Sequence, residues 1–156
     1  MKKQSLISIL LIVLTASCGF KVLDKSEENN FAIADISTTG EKRINYKIRN
    51  KLLINTSKTH PRMIAVKLNT IKKKDIKEKN INNEITKYQL HITVDVNYNE
   101  INGNNSNSFS IAKSGDYKST TQFSQTLNNE KTLIELLTDS LAQEILKELI
   151  IKLNDL

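Results

Sequence analysis

The 156-residue chain has no tryptophan, one cysteine, one proline, two histidines and four glycines. A single cysteine excludes an intramolecular disulfide and a zinc cluster built on several thiolates. The histidines are His60, beside Pro61, and His91, in an alternating segment. They stand in no His-x-x-x-His or Cys-His spacing, so a metal site is not expected. With so few glycines there is no Gly-rich phosphate loop, and no serine sits in a Gly-x-Ser-x-Gly elbow. The carboxylate pair Glu27-Glu28 falls in a polar run, where solvation accounts for it. The pattern is that of a chain without catalysis and without a cofactor. Aromatics are only 5% of the residues, too few to interleave with the basic residues as nucleic-acid binding surfaces require, so no nucleic acid is expected as a partner.

What is abundant is Lys (20), Ile (20) and Asn (18). These are the residues favoured by an AT-rich coding bias. The net charge of +6 is therefore a weak sign of an anionic partner on its own.

The N-terminus carries the clearest signal. Lys2 and Lys3 precede an apolar run from Leu6 to Leu14 broken only by Ser8, and the small residues Thr15, Ala16 and Ser17 lead to Cys18. Charge, short apolar core and small-residue site together read as an export signal. The run falls well short of the roughly 20 residues that span a bilayer, although a short transmembrane or buried helix is the alternative reading. A cysteine directly after Thr-Ala-Ser resembles the lipobox of bacterial lipoproteins, with Thr15 where the usual leucine stands three residues before it. The resemblance implies that the Cys18 sulfur attacks a lipid donor, forms a thioether, and becomes the first residue of the mature chain. Each buried methylene of such a lipid contributes about 0.8 kcal/mol, so several acyl chains anchor the protein firmly to a membrane. Gly19 follows the cysteine where inner-membrane lipoproteins carry Asp, which implies the outer membrane as the destination. Residues 1–17 are thus expected to be a lipoprotein signal peptide, 18–30 a lipid-anchored tether, and 31–156 a single domain. Removing residues 1–17 takes away two lysines and lowers the net charge to +4.

Within the domain, Phe31 to Ile36 is a strand candidate. Thr38 and Glu41 stand at capping-box spacing before a helix from Glu41 to Leu53, whose Ile44, Ile48 and Leu52 share one face. Pro61 breaks the chain. Met63 to Lys72 alternates as a second strand, and a charged stretch from Lys72 to Glu84 separates it from the strongest alternation in the chain, Tyr88 to Tyr98. A turn of Asn, Gly and Ser leads to a fourth strand from Phe109 to about Tyr117, with Gly115-Asp116 fitting a bulge as well as a stop. Leu133, Leu137, Leu141, Ile145, Leu149 and Leu153 recur at fours in a last helix, with Ile134, Leu136, Leu146 and Ile150 widening the stripe. Asn128 and Asn129 are candidate caps, and a start nearer Phe123 is the other possibility. The order β-α-β-β-β-α gives an α+β two-layer sandwich, two helices packed on one face of a four-stranded mixed sheet.

Four stretches carry a family resemblance: Cys18-Gly19-Phe20, Ile48-Arg49-Asn50-Lys51-Leu52, Tyr88-Gln89-Leu90 at the head of the long third strand, and Ala142-Gln143-Glu144-Ile145-Leu146-Lys147 in the closing helix. In this order the chain resembles the LptE family, the small lipoprotein of the lipopolysaccharide-assembly complex. The resemblance implies a protein that plugs a large outer-membrane β-barrel, helps that barrel assemble, and assists insertion of lipopolysaccharide into the outer leaflet. The expected partners are that barrel, lipopolysaccharide, and the membrane through the acyl chains on Cys18. The family's apolar pair after the aromatic is here Val22-Leu23, and its basic residue just before the last helix aligns with Leu127. Alternative readings are a periplasm-facing lipoprotein that activates a cell-wall synthase, or a periplasmic hydrolase.

One cluster is a candidate ligand site. Lys72, Lys73, Lys74, Lys77 and Lys79 fall within eight residues, read as the tip of the hairpin between the second and third strands. Ammonium groups there suit the phosphates of lipopolysaccharide. The other reading is a solvated hairpin, since Asp75 and Glu78 are interleaved. The polar face of the third strand, with Thr93, Asp95 and Asn97, is a second surface that suits a barrel wall, or simply the wet face of an antiparallel sheet.

Overall fold

The computed structural model describes residues 31–56, 60–101, 103 and 106–154. The expected signal peptide and tether, with Cys18, lie outside the described residues. The elements run β1 (Ala32–Gly40), α1 (Lys42–Asn55), β2 (Met63–Lys79), β3 (Ile85–Glu100), β4 (Ser106–Lys118) and α2 (Phe123–Asn154). The strands form one sheet in the order β1-β2-β3-β4. β1 is parallel to β2, while β2–β3 and β3–β4 are antiparallel. The two helices cover one face of this mixed sheet, as the α+β reading expects.

Period-two alternation sets the core. Ile64, Val66 and Leu68 of β2 and Leu90, Ile92, Val94, Val96 and Tyr98 of β3 are all buried, one side chain in two along each strand. Against them lie Ile44, Ile48 and Leu52 of α1 and Leu137, Leu141, Ala142, Ile145, Leu149 and Leu153 of α2. Spacings of four keep each set on one helix face. Leu136 does not join the α2 stripe and is 63% exposed, because its position rotates it off the face that the sheet covers.

Several boundaries differ from the sequence reading. β1 runs on to Gly40, so Thr38 pairs with Leu68 in the ladder and no capping box forms; Glu41 occupies the N-cap without a side-chain hydrogen bond. A buried asparagine takes over the joining role. Asn45 Nδ2 donates to Thr39 O at 2.8 Å, and Thr70 Oγ1 donates to Asn45 Oδ1 at 2.6 Å. Gly40 adopts φ +87°, and an added Cβ would stand 2.0 Å from Thr70 O, so the turn into α1 accepts no side chain there.

The largest difference concerns the charged stretch. β2 continues to Lys79, with Lys72↔Ile92, Lys74↔Leu90 and Ile76↔Tyr88 in register and irregularities after Ile76. Strand polarity argues for a loop, but β3 starts at Ile85 and offers a backbone ladder, which the chain takes up. The turn itself is residues 80–84. Asn80 Oδ1 accepts from Asn82 N and Glu84 N, and Asn83 sits at φ 64°, an Asx-type turn. At the far end, α2 begins at Phe123, so Asn128 and Asn129 are helical and not caps. Asn129 Nδ2 donates instead to Lys118 O, and the entry to the helix is closed by Thr120 N donating to Thr126 Oγ1 at 2.9 Å. Leu127, expected just before the helix, lies inside it. β4 runs unbroken through Gly115, where α2 approaches closely: an added Cβ would meet Leu133 Cδ1 at 2.7 Å.

Candidate functional site

The five lysines belong to the β2 strand and not to a hairpin tip. Alternation splits them. Lys72 and Lys74 follow Thr70 on the helix-covered side, and Lys73 lies with Asp75 on the open side. Lys74 Nζ is 2.7 Å from Glu130 Oε2 on α2 and 4.3 Å from the centre of the Tyr88 ring. Tyr88 stacks on Tyr117 with centroids 5.4 Å apart, and the Tyr117 hydroxyl donates to Glu130 Oε2 at 2.8 Å. Lys77 pairs with Asp116, and Lys79 donates to Asn83 Oδ1 at 2.9 Å. The structure thus brings Lys72 and Lys74 to the mouth of α2 and turns the others elsewhere.

Charge is tuned inside this cluster. Burial works against the Lys74 ammonium, but the hydrogen bonds and charges of Glu130 and Tyr117 outweigh it, and the Lys74 pKa lies above its ordinary value. Burial likewise pushes Glu130 up, yet the Lys74 and Tyr117 hydrogen bonds and the nearby Lys74 and Lys72 charges pull its pKa below the ordinary carboxylate value. A depressed carboxyl pKa stabilises the fold above the unfolded-state value, near 4.5, and that stability is lost as pH falls through the folded value. Glu130→Gln is expected to lower the melting temperature at pH 7 by about 4 °C, corresponding to roughly 1 kcal/mol for a partly buried pair. The variant should also lose less stability than wild type between pH 5 and pH 3. Thermal melts across that range decide it; an identical acid limb in both proteins contradicts the assignment.

The centre of the open sheet face is polar, with short side chains around Asp95, and Lys67, Ile71, Lys73, Asp75 and His91 lie on the same face. Asp95 is its centre: Ser110 Oγ donates to Oδ1 at 2.8 Å and Asn69 Nδ2 to Oδ2 at 3.3 Å. Thr93 and Asn97 flank Asp95 on β3, and Ser108, Ala112 and Ser114 continue the surface on β4. The sequence reading named Thr93, Asp95 and Asn97 here but missed Asn69 and Ser110, which the register of three strands brings to Asp95.

The sequence reading counts no Ser-x-x-Lys nucleophile box, but Ser110-Ile111-Ala112-Lys113 has that spacing. On a strand, residues three apart face opposite sides. Ser110 is on the open face with Asp95, while Lys113 pairs with Glu144 of α2. The two are not assembled into a catalytic pair. His60 Nδ1 accepts from Arg62 N at 3.1 Å, and His91 lies 3.8 Å from Asp75, so the histidines stand apart from each other's partners.

The chain shares its fold with two solved structures. One is a protein described as a lipoprotein from Caulobacter crescentus, with a TM-score of 0.54 at 19% identity, covering 77% of this chain and 90% of that one. The other is rare lipoprotein B from Shewanella oneidensis, with a TM-score of 0.50 at 13% identity, covering 78% and 94%. At these identities the likeness is one of fold. No protein-family profile matches the chain, and no curated protein matches it.

Proposed function

We propose that this protein is an outer-membrane lipoprotein, anchored through Cys18, that plugs and helps assemble the lipopolysaccharide-export β-barrel and assists lipopolysaccharide insertion into the outer leaflet. The observation that carries the reading is the uncovered face of the sheet. One face is sealed by two helices; the other presents Asn69, Thr93, Asp95, Asn97, Ser108, Ser110 and Ser114 at its centre, with Lys67, Lys73, Asp75 and His91 beside them. Barrel lumens are polar, and an open face of hydroxyls, amides and charges of both signs suits hydrogen-bonded contact with such a wall. The lipobox-like N-terminus supports the same reading, and so does a fold shared with proteins described as lipoproteins.

The test is co-purification. A C-terminal tag on the full-length protein, extracted in mild detergent from the native membrane, is expected to bring down a large β-barrel in near-equal amount. A penicillin-binding synthase in its place supports the cell-wall alternative. Neither partner, with hydrolytic turnover in the eluate, supports the hydrolase.

A further inference from the structure

β4 is an edge strand, and its outer side carries no strand among the described residues. The backbone N–H and C=O groups of such an edge are a template for another strand, and folded proteins guard edges with bulges, proline or lysine. β1, at the opposite edge, is nine residues long and is interrupted by an irregularity between Ile33 and Asp35. β4 has no such guard. It runs thirteen residues without proline and keeps its register against β3 unbroken from Ser106 to Lys118. Lys113, inside the strand, is drawn onto α2 by Glu144, and Lys118 stands at the strand's end. Nor does α2 close over the edge. Clefts of about 380 Å³ at Tyr117 and about 370 Å³ at Phe109 open between α2 and β4.

The strand is complementary to itself. Two copies paired antiparallel over all thirteen residues place Ala112 opposite itself on a two-fold axis, the symmetry of a closed dimer. In that register Lys113 stands opposite the partner's Ile111, Asp116 opposite the partner's Ser108, and Lys118 opposite the partner's Ser106. No like charges face each other, which opposed strands require. Centring the pair on Lys113 instead would set that lysine against itself. On the helix side Phe109 comes opposite the partner's Gly115. Gly115 leaves the space beside its strand empty, and Tyr117, Leu133 and Leu136 line the cleft next to it. An aromatic ring laid over a glycine of an opposed strand stabilises such a pair.

We propose that this chain pairs with a second copy of itself through β4, joining the two sheets into one. The pairing leaves the open sheet face free and goes beyond the barrel reading, since it needs no barrel to form.

Disulfide trapping tests the register. Directly opposed Cα atoms of antiparallel strands are about 4.5–5.5 Å apart, within disulfide range. Full-length Ala112→Cys, oxidised with copper phenanthroline in native membranes, is expected to run mainly as a disulfide-linked dimer. Ser110→Cys is the control. Its copy lies four residues along the ladder, about 13 Å away, and it should stay monomeric on the same gel. Wild type treated alike accounts for any bridge through Cys18. Sedimentation of the full-length protein in mild detergent measures the strength of pairing. Wild type is expected as a dimer. Ala112 is exposed, so Ala112→Lys should keep the wild-type circular dichroism, while two ammonium groups set face to face raise the dissociation constant roughly tenfold or more. Ser114→Lys adds the same charge off the axis and should sediment as wild type does. A monomeric wild type overturns the proposal. So does Ser110→Cys linking as readily as Ala112→Cys, or Ala112→Cys linking to a different protein, which would make the edge a site for another chain's strand.

Discussion

Ile92→Asp is expected to unfold the domain. Ile92 lies on the central strand β3 and has no solvent exposure, with Lys72 and Lys113 as its register neighbours on β2 and β4. Leu141 lies in the helix layer of the same core and is equally buried, so Leu141→Asp should act in the same way. A carboxylate desolvated in this layer costs several kcal/mol, which at position 92 the cross-strand Lys72 and Lys113 offset only in part. A domain of this size has a total stability of about 5–15 kcal/mol. The expected result is a loss of the cooperative thermal transition, or a melting temperature lower by more than 10 °C. Leu136→Asp is the contrast. It belongs to the same heptad-like run in sequence, but the side chain is mostly exposed and the variant should melt close to wild type. A melt of Ile92→Asp that coincides with wild type removes β3 from the core and with it the two-layer packing.

That contrast also shows what the sequence could and could not carry. Alternation from Tyr88 to Tyr98 and the i, i+4, i+8 rows at Ile44 and Leu133 are direct readouts of burial, and the element order and layer arrangement follow from them. Three of the stretches behind the family resemblance fall on the same framework: Ile48, Leu52, Leu90, Ala142 and Ile145 are all core residues, so there the resemblance is largely one of packing. What escaped was set by partners distant in sequence. Lys72 to Lys79 have the composition of a loop, and only the ladder offered by β3 from Ile85 makes them a strand. Thr38 and Asn129 have the right chemistry for caps, but β1 and α2 extend past them, and Asn45 and Thr126 close the junctions instead. The Asp95 cluster and the cluster of Lys74, Tyr117 and Glu130 each gather side chains from three elements, and no local pattern announces such a meeting. The lysine run was visible as charge density; its division between a Glu130 pair, an Asp116 pair and a contact with Asn83 was not.

The second large effect concerns Cys18. A lipobox-like cysteine acts through its thiol, because a serine hydroxyl does not form the thioether. Cys18→Ser is expected to block processing, leave a precursor larger by residues 1–17, and abolish stable retention in the outer membrane. Loss of several acyl chains, at about 0.8 kcal/mol for each buried methylene, removes far more membrane affinity than any surface residue of the domain supplies. The described core is built from residues between Phe31 and Leu153, and a soluble form that begins after the tether is expected to melt as the full-length protein does. Fractionation and immunoblotting of cells carrying the variant follow both effects. Normal processing and retention of Cys18→Ser contradict the anchor.

The proposed role beside a membrane-embedded barrel requires that the domain be held there, so the proposal rests on the state of that one sulfur. Intact mass spectrometry of the wild-type protein, extracted from the membrane, measures it directly. The expected result is a chain beginning at Cys18 and carrying the added mass of a thioether-linked diacylglycerol, with no unmodified form in quantity. A mature chain with a free, unmodified Cys18, or an uncleaved chain beginning at Met1, would contradict it.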